Sequence, residues 1–365
     1  MSPSLSDTSI LSFPFLATRY LHPRYRQEPS WSYRQAVTNT FLKIGLWKFS
    51  TSQFRPTLSL KPGLERDRFV LVDPARPELY TGVAVDKEVK PETIGGTWYP
   101  KRFSSDTIIP EDQHVVLHFH GGSYILGDGR TASSNFLAKT FLNNTSALYI
   151  FCPQYRLAGS PTGRFPAQLQ DAIASYSYLV HMLRIPASQV VLSGDSSGAH
   201  LVLGLLRYIF QLENPLLLPP PICSWAFSPW CDVPAALDKE SWHRDPNYKT
   251  DYIPSEFPAW GAKNYLKNLE ITRPIDEQVA PIRHPFPLPS PVLIVTGGKE
   301  ILFQQHLQLA QSFLKLPENR DSVELYSEER VPHDILVIGW MMNFRHEARK
   351  SARRAGDFLL HTQKK

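Results

Sequence analysis

The sequence predicts an α/β fold, a mostly parallel sheet with helices on both faces, and three observations carry that prediction. Apolar runs of strand length recur at 115–119, 147–151, 190–192, 223–227, 291–296 and 323–326. Helix-spaced segments stand between or after them, at 165–183, after Gly198, at 304–316 and from 335 onward. Strands alternating with helices require crossover connections, and crossovers produce parallel sheets buried on both sides. A chain of 365 residues that is 42% hydrophobic and 12% aromatic can bury such a core, as one large domain or two smaller ones.

Taken in order, residues 1–60 have helical spacing and many aromatics (Tyr20, Tyr25, Trp31, Tyr33, Phe41, Trp47), which suggests a helical cap segment that packs on the rest. Residues 61–365 form the main domain. Its first part, 69–99, consists of short β-branched stretches broken by proline and glycine. The regular alternation follows and lapses at 233–289, an insertion holding Trp242, Tyr248, Tyr252, Phe257, Trp260 and Tyr265. Ligands of open α/β sheets bind above the carboxyl ends of the strands, so this insertion and the N-terminal helices are placed to form a lid. A structural elaboration without substrate contact is the alternative. Many of the 32 prolines fall in connections such as 219–221 and 281–291, which marks long ordered loops rather than repeats or a low-complexity tail.

Composition excludes several function classes. The net charge of +5 is dispersed, and the basic run 345–354 is interrupted by Glu347 and apolar positions, which fits the solvated face of a final helix better than a nucleic-acid site. Cys152, Cys223 and Cys231 are too few for a disulfide framework and none makes a metal-type pair, so a reducing, cytoplasmic setting is expected. Leu11, Phe13, Phe15 and Leu16 are interrupted by Ser12 and Pro14 and preceded by Asp7, a poor signal peptide, and no run is long enough for stable membrane insertion. The sequons at Asn143 and Asn144 then have no role. No cofactor or metal site is expected, and a homodimer is left open.

The stretch 190–204 carries the chemistry. An apolar strand leads into Gly194, Asp195, Ser196, Ser197 and Gly198, then into an apolar helix, the pattern of a nucleophile elbow that raises Ser196 above the sheet edge. A serine needs a base, an acid to orient the base, and donors for the developing oxyanion. After the 115–119 strand come His120, Gly121, Gly122 and Ser123, so the amides of Gly121, Gly122 and Ser197 are the candidate oxyanion donors. His333 follows the 323–326 strand and is the candidate base, whereas His306 and His346 fall inside helices and His361 in the tail. Glu300 follows the glycine pair Gly297 and Gly298 at the end of the 291–296 strand and is the candidate acid, with a surface role beside Lys299 as its rival. Asp334 adjoins His333 and should point elsewhere. His118 and His120 could share a strand face, but no further ligand follows at metal spacing.

The order serine, acid, histidine with a glycine loop makes the chain resemble α/β-hydrolases of the hormone-sensitive-lipase type. Tyr155, Arg156, Leu157, Ala158, Phe165, Pro166, Ala167 and Asp171 are similar to that family's YRLAPE..FPA...D signature, and residues 194–198 to its GDSAG. Ser228, Pro229, Trp230 and Asp232 match an SPW.D pattern. The chain departs in having Gly159 and Ser160 for Pro-Glu, Ser123 for a third glycine and Glu300 for the commoner aspartate. The resemblance implies an eight-stranded, mostly parallel sheet with a helical lid and an esterase triad of Ser196, His333 and Glu300. It implies cleavage of an ester of a small apolar or aromatic substrate through an acyl-enzyme. A thioesterase, acyltransferase, amidase or cyclase/lyase acting on a polyketide-type intermediate is the alternative, and a non-catalytic small-molecule receptor a third. The aromatic insertions and the segment 95–100 are similar to fungal members, some of which serve secondary metabolism.

Overall fold

Eight strands form one sheet in the order β1-β2-β4-β3-β5-β6-β7-β8. They are β1 (Phe69–Val72), β2 (Ile94–Tyr99), β3 (His114–Phe119), β4 (Ala147–Gln154), β5 (Val190–Asp195), β6 (Cys223–Phe227), β7 (Val292–Gly297) and β8 (Val323–Glu328). Only β2 runs against its neighbours, β1 and β4, and every pairing from β4 to β8 is parallel. This computed structural model describes residues 8–104 and 106–364, with side chains from residue 14 onward. The first seven residues of the N-terminal segment and the side chains of Leu11 and Phe13 lie outside that description.

The helices are α1 (Thr8–Arg19), α2 (Tyr33–Ser52), α3 (Thr131–Asn144), α4 (Ala167–Ser177), α5 (Ser197–Leu212), α6 (Lys239–Arg244), α7 (Glu256–Tyr265), α8 (Arg273–Val279), α9 (Phe303–Leu314), α10 (Ile335–Met342) and α11 (Arg345–Gln363). Strand alternation divides the sheet's side chains between two cores. Val190, Leu192, Val292 and Ile294 face one with Leu201, Leu205 and Leu309 of α5 and α9. Val191, Leu293, Val295 and Trp225 face the other with Leu137, Phe141, Ala355 and Leu359 of α3 and α11. Each fully buried leucine or valine contributes about 1.5–3 kcal/mol, so both faces must be covered for the sheet to stand.

Two elements differ from the sequence reading. The segment from 335 onward is not one helix: Asn343 takes a left-handed conformation (φ 64°), Phe344 N–H caps Gly339 O at 2.8 Å, and α11 starts anew. The short polar side chain of asparagine tolerates that conformation. Helix α3, rich in serine, threonine and asparagine, has no strong apolar period and was not expected; burial of Leu137, Ala138 and Phe141 holds it on the sheet.

The N-terminal helices and the 233–289 insertion pack on each other. A capping box between Ser32 and Gln35 starts α2. Phe49 of α2 packs on Trp260 of α7 at 5.3 Å between ring centroids, and Lys43 Nζ lies 3.6 Å from the Tyr248 ring centre and donates to Asp251 O at 3.2 Å. Trp31 Nε1 donates to Arg330 O at 2.6 Å, tying the N-terminal segment to the loop after β8.

Candidate active site

Ser196 sits at the turn between β5 and α5 with φ 51° and ψ −116°, a strained backbone for a non-glycine residue. Its N–H donates to Phe227 O at 2.9 Å and its carbonyl accepts from Trp230 N at 3.1 Å, so the turn is pinned to the end of β6. The flanking glycines are steric requirements: a Cβ on Gly198 would lie 1.9 Å from Phe119 O, and one on Gly194 would lie 2.3 Å from Gly198 O. Both obstacles are backbone, which cannot turn aside.

The parallel register of β7 and β8 brings Glu300 to His333. Gly298 N donates to Glu328 O at 2.9 Å and Lys299 N to Val331 O at 3.0 Å, stapling the glycine turn to the loop that carries His333. His333 Nδ1 is 2.8 Å from Glu300 Oε2, both side chains buried. Nδ1–H donates to the carboxylate, which leaves Nε2 bare and able to accept a proton. Burial pulls His333 down, but the hydrogen bond and charge of Glu300, then Asp251 and Asp195, outweigh it and set the imidazole above its usual range. Burial would raise Glu300, yet His306 and then His333 hold it far below the carboxylate norm. Glu300 is therefore no surface residue; Lys299 pairs instead with Glu28 at 2.8 Å.

Ser196 and His333 open onto one cavity of about 270 Å³, walled by Leu42, Leu46, Leu126, Leu137, Ile253, Phe257, Val337 and Ile338. No hydrogen bond joins Ser196 Oγ to His333 among the described residues. Such contacts are often long in unliganded sites and tighten with substrate. A larger groove of about 750 Å³ between α3 and α11, lined by Lys139, Arg345, Arg349 and Arg353, contains none of the candidate residues.

One of the three oxyanion candidates is corrected. Gly121 N–H donates to Asp195 Oδ2 at 2.8 Å and is occupied. A Cβ on Gly121 would lie 2.2 Å from that oxygen, so the loop is drawn tight against β5. The amides of Gly122 and Ser197 donate to no group among the described residues. His118 anchors the other end of Asp195, Nε2 to Oδ1 at 3.0 Å, with Nδ1 3.0 Å from Ser193 Oγ. His120 Nδ1 donates to Gly121 O at 2.8 Å and its ring stacks on Tyr155 at 4.1 Å. Among the described residues no group of acidic, histidine and cysteine side chains could hold a metal ion.

Asp334, expected to point elsewhere, stays in the cavity wall, where burial and the neighbouring Asp195 carboxylate push it well above the carboxylate range. Other residues at the site escaped the sequence reading. Burial would raise Asp195, but the hydrogen bond and charge of His118, the hydrogen bond of Asp334 and the charge of His120 together hold it below the usual carboxylate range. From the 233–289 insertion, Asp251 accepts from Ile301 N at 2.7 Å, Asn247 Nδ2 donates to Glu300 O at 3.0 Å, and Thr250 Oγ1 donates to Lys299 O at 2.8 Å. These contacts clamp the turn that carries Glu300. Burial pushes Asp251 up to about 6 against the opposing pull of His333. The signature residues away from the chemistry also have a structural role: Arg156 makes a forked pair with Asp171, 2.7 Å at its shortest, and Tyr155 Oη donates to His120 O at 2.5 Å.

Residues 116–337 match the family model described as alpha/beta hydrolase fold. An acetyl-hydrolase of Streptomyces hygroscopicus is 27% identical over 249 residues, 68% of this chain and 76% of that one. Esterase LipU of Mycobacterium tuberculosis is 27% identical over 263 residues, 69% of this chain and 80% of that one. The crystal structure of EstE5 soaked with p-nitrophenyl butyrate has the same fold, with a TM-score of 0.61 at 18% identity over 90% of this chain and 98% of the other.

Proposed function

This chain belongs to the alpha/beta hydrolase fold family, and on that premise we propose that it is a carboxylesterase-like serine hydrolase working through an acyl-enzyme. One observation carries the reading: Ser196, on a strained elbow, shares an apolar cavity with His333, whose far nitrogen is held by buried Glu300 at 2.8 Å. Ser196 Oγ attacks the ester carbonyl and His333 Nε2 takes its proton, then gives it to the departing alcohol. Water deacylates the serine by the same route. Gly122 and Ser197 donate to the oxyanion, helped by the positive end of α5. The chemistry needs no metal or cofactor.

The cavity supports a compact, apolar acyl or aryl group. Its volume of about 270 Å³ and its mostly aliphatic walls suit such a group, and the Asp195 carboxylate that also borders it is taken up by His118 and the Gly121 amide. Two relatives are named acetyl-hydrolase and esterase, in keeping with such a substrate. The test is hydrolysis of p-nitrophenyl acetate and butyrate in ¹⁸O-labelled water by wild type and Ser196→Ala. Labelled carboxylic acid from wild type alone is expected. Turnover without solvent oxygen in the product would assign acyl transfer to an alcohol or amine acceptor instead, and no turnover would remove the hydrolase reading.

A further inference from the structure

Glu300 is bound from two sides, and only one side has been given a purpose. His306 of α9 is fully buried with Nε2 2.8 Å from Pro229 O, an atom that can only accept, so Nε2 carries a hydrogen. Its Nδ1 lies 2.7 Å from Thr296 Oγ1 and 3.3 Å from Glu300 Oε1. The Thr296 hydroxyl is also 2.7 Å from Glu300 Oε1, which accepts the Gly297 N–H as well. Thr296 has one proton to give.

If Nδ1 were bare, that proton could satisfy the imidazole or the carboxylate but not both, and a nitrogen lone pair would face a buried carboxylate oxygen. With a hydrogen on Nδ1, each contact has one donor and one acceptor: His306 to Thr296, Thr296 to Glu300. We propose that His306 is protonated on both ring nitrogens and is a positioning residue that neutralises Glu300 from behind while His333 uses its other oxygen.

The consequence for catalysis rests on the hydrolase reading above. A lone buried carboxylate would hold His333 in its protonated form, useless as a base; a cation behind the carboxylate weakens that hold. The other titratable groups facing this cluster are His333 and Asp334 from the loop after β8, Asp251 and Tyr252 from the lid, Cys231 after β6 and Asp195 of β5. His333 is neutral when it serves as the base, and Lys43 of α2 is drawn to Asp251 rather than to Glu300, so His306 is the compensating charge within this set.

The test uses the full chain labelled with ¹⁵N-histidine. With the His333 signals identified from His333→Ala, wild type should show a second imidazole that keeps both nitrogens protonated up to pH 8, missing from His306→Gln. A His306 ring with one bare nitrogen at pH 7 overturns the proposal. This readout needs no turnover, so it stands or falls apart from the hydrolase reading. In the kinetic arm, His306→Gln should move the acid limb of kcat/KM upward by about one pH unit, about tenfold in rate below the limb. A loss uniform across pH would make His306 merely structural and also overturns the proposal. Should His306→Gln fail to fold, Thr296→Val serves: both ring nitrogens stay protonated if the proposal holds, and a bare Nδ1 contradicts it.

Discussion

Replacing Glu300 by glutamine changes one oxygen to an amide and leaves the volume almost unchanged. The carboxylate accepts from Gly297 N at 2.5 Å, Thr296 Oγ1 at 2.7 Å and His333 Nδ1 at 2.8 Å. The first two contacts fall on Oε1, so the glutamine carbonyl takes that place and its NH₂ faces His333. Two donors cannot meet there; His333 must move its proton to Nε2, the nitrogen that should receive the proton of Ser196. A wrong tautomer with geometry retained costs about 10³–10⁴-fold in kcat, equivalent to about 4–5 kcal/mol of transition-state stabilisation. Glu300→Asp keeps the charge but withdraws it by one methylene, and a shift of about 1 Å costs about a hundredfold. The assay is kcat and KM for p-nitrophenyl acetate, with the melting temperature of each variant as a check on folding. A folded Glu300→Gln protein within tenfold of wild type would refute the assignment of Glu300 as the group that orients His333.

Because Glu300 raises His333 above its usual range, kcat/KM should fall about tenfold per pH unit below a midpoint higher than 6.5, the proton then blocking the base; a midpoint below 6.5 in the pH–rate profile contradicts this. Phe257, 3% exposed, closes the cavity on the lid side, and Phe257→Ala should shift preference toward longer acyl chains, by about fourfold in kcat/KM per added methylene, or about 0.8 kcal/mol. An unchanged chain-length series on p-nitrophenyl esters would take Phe257 out of the substrate wall. Gly198→Ala sets a methyl 1.9 Å from Phe119 O, and urea unfolding should register about 3 kcal/mol of destabilisation; a neutral result would mean that β3 and the elbow are not rigidly apposed.

The elbow was legible because its constraints are local. The glycines at 194 and 198 are required by atoms four residues away or on the adjoining strand, and strand and helix on either side of Ser196 announce themselves by period. His333 and Glu300 were legible from their places at strand ends, since parallel neighbours β7 and β8 end on the same edge. What could not be read depends on contacts between distant segments. Nothing near Gly121 in sequence shows that Asp195, 74 positions on, takes its amide. His306 reads as an ordinary helical residue, and its meaning lies in Glu300 and Pro229, which other elements deliver. The clamp of Asn247, Thr250 and Asp251 on the acid turn is hidden for the same reason: an aromatic insertion announces a lid but not the handful of polar atoms by which it grips the site. The division of the C-terminal segment at Asn343 was missed because the apolar run of α10 passes into the charged but helix-forming sequence of α11 with no glycine or proline to mark the left-handed cap.

Every role proposed for His333, Glu300 and the oxyanion amides depends on Ser196 being the nucleophile. Treatment with a fluorophosphonate probe, followed by intact-protein mass and peptide mapping, reads this directly. The wild type should gain one adduct, on Ser196, and Ser196→Ala none. An unlabelled wild type, or equal labelling of Ser196→Ala, would contradict it.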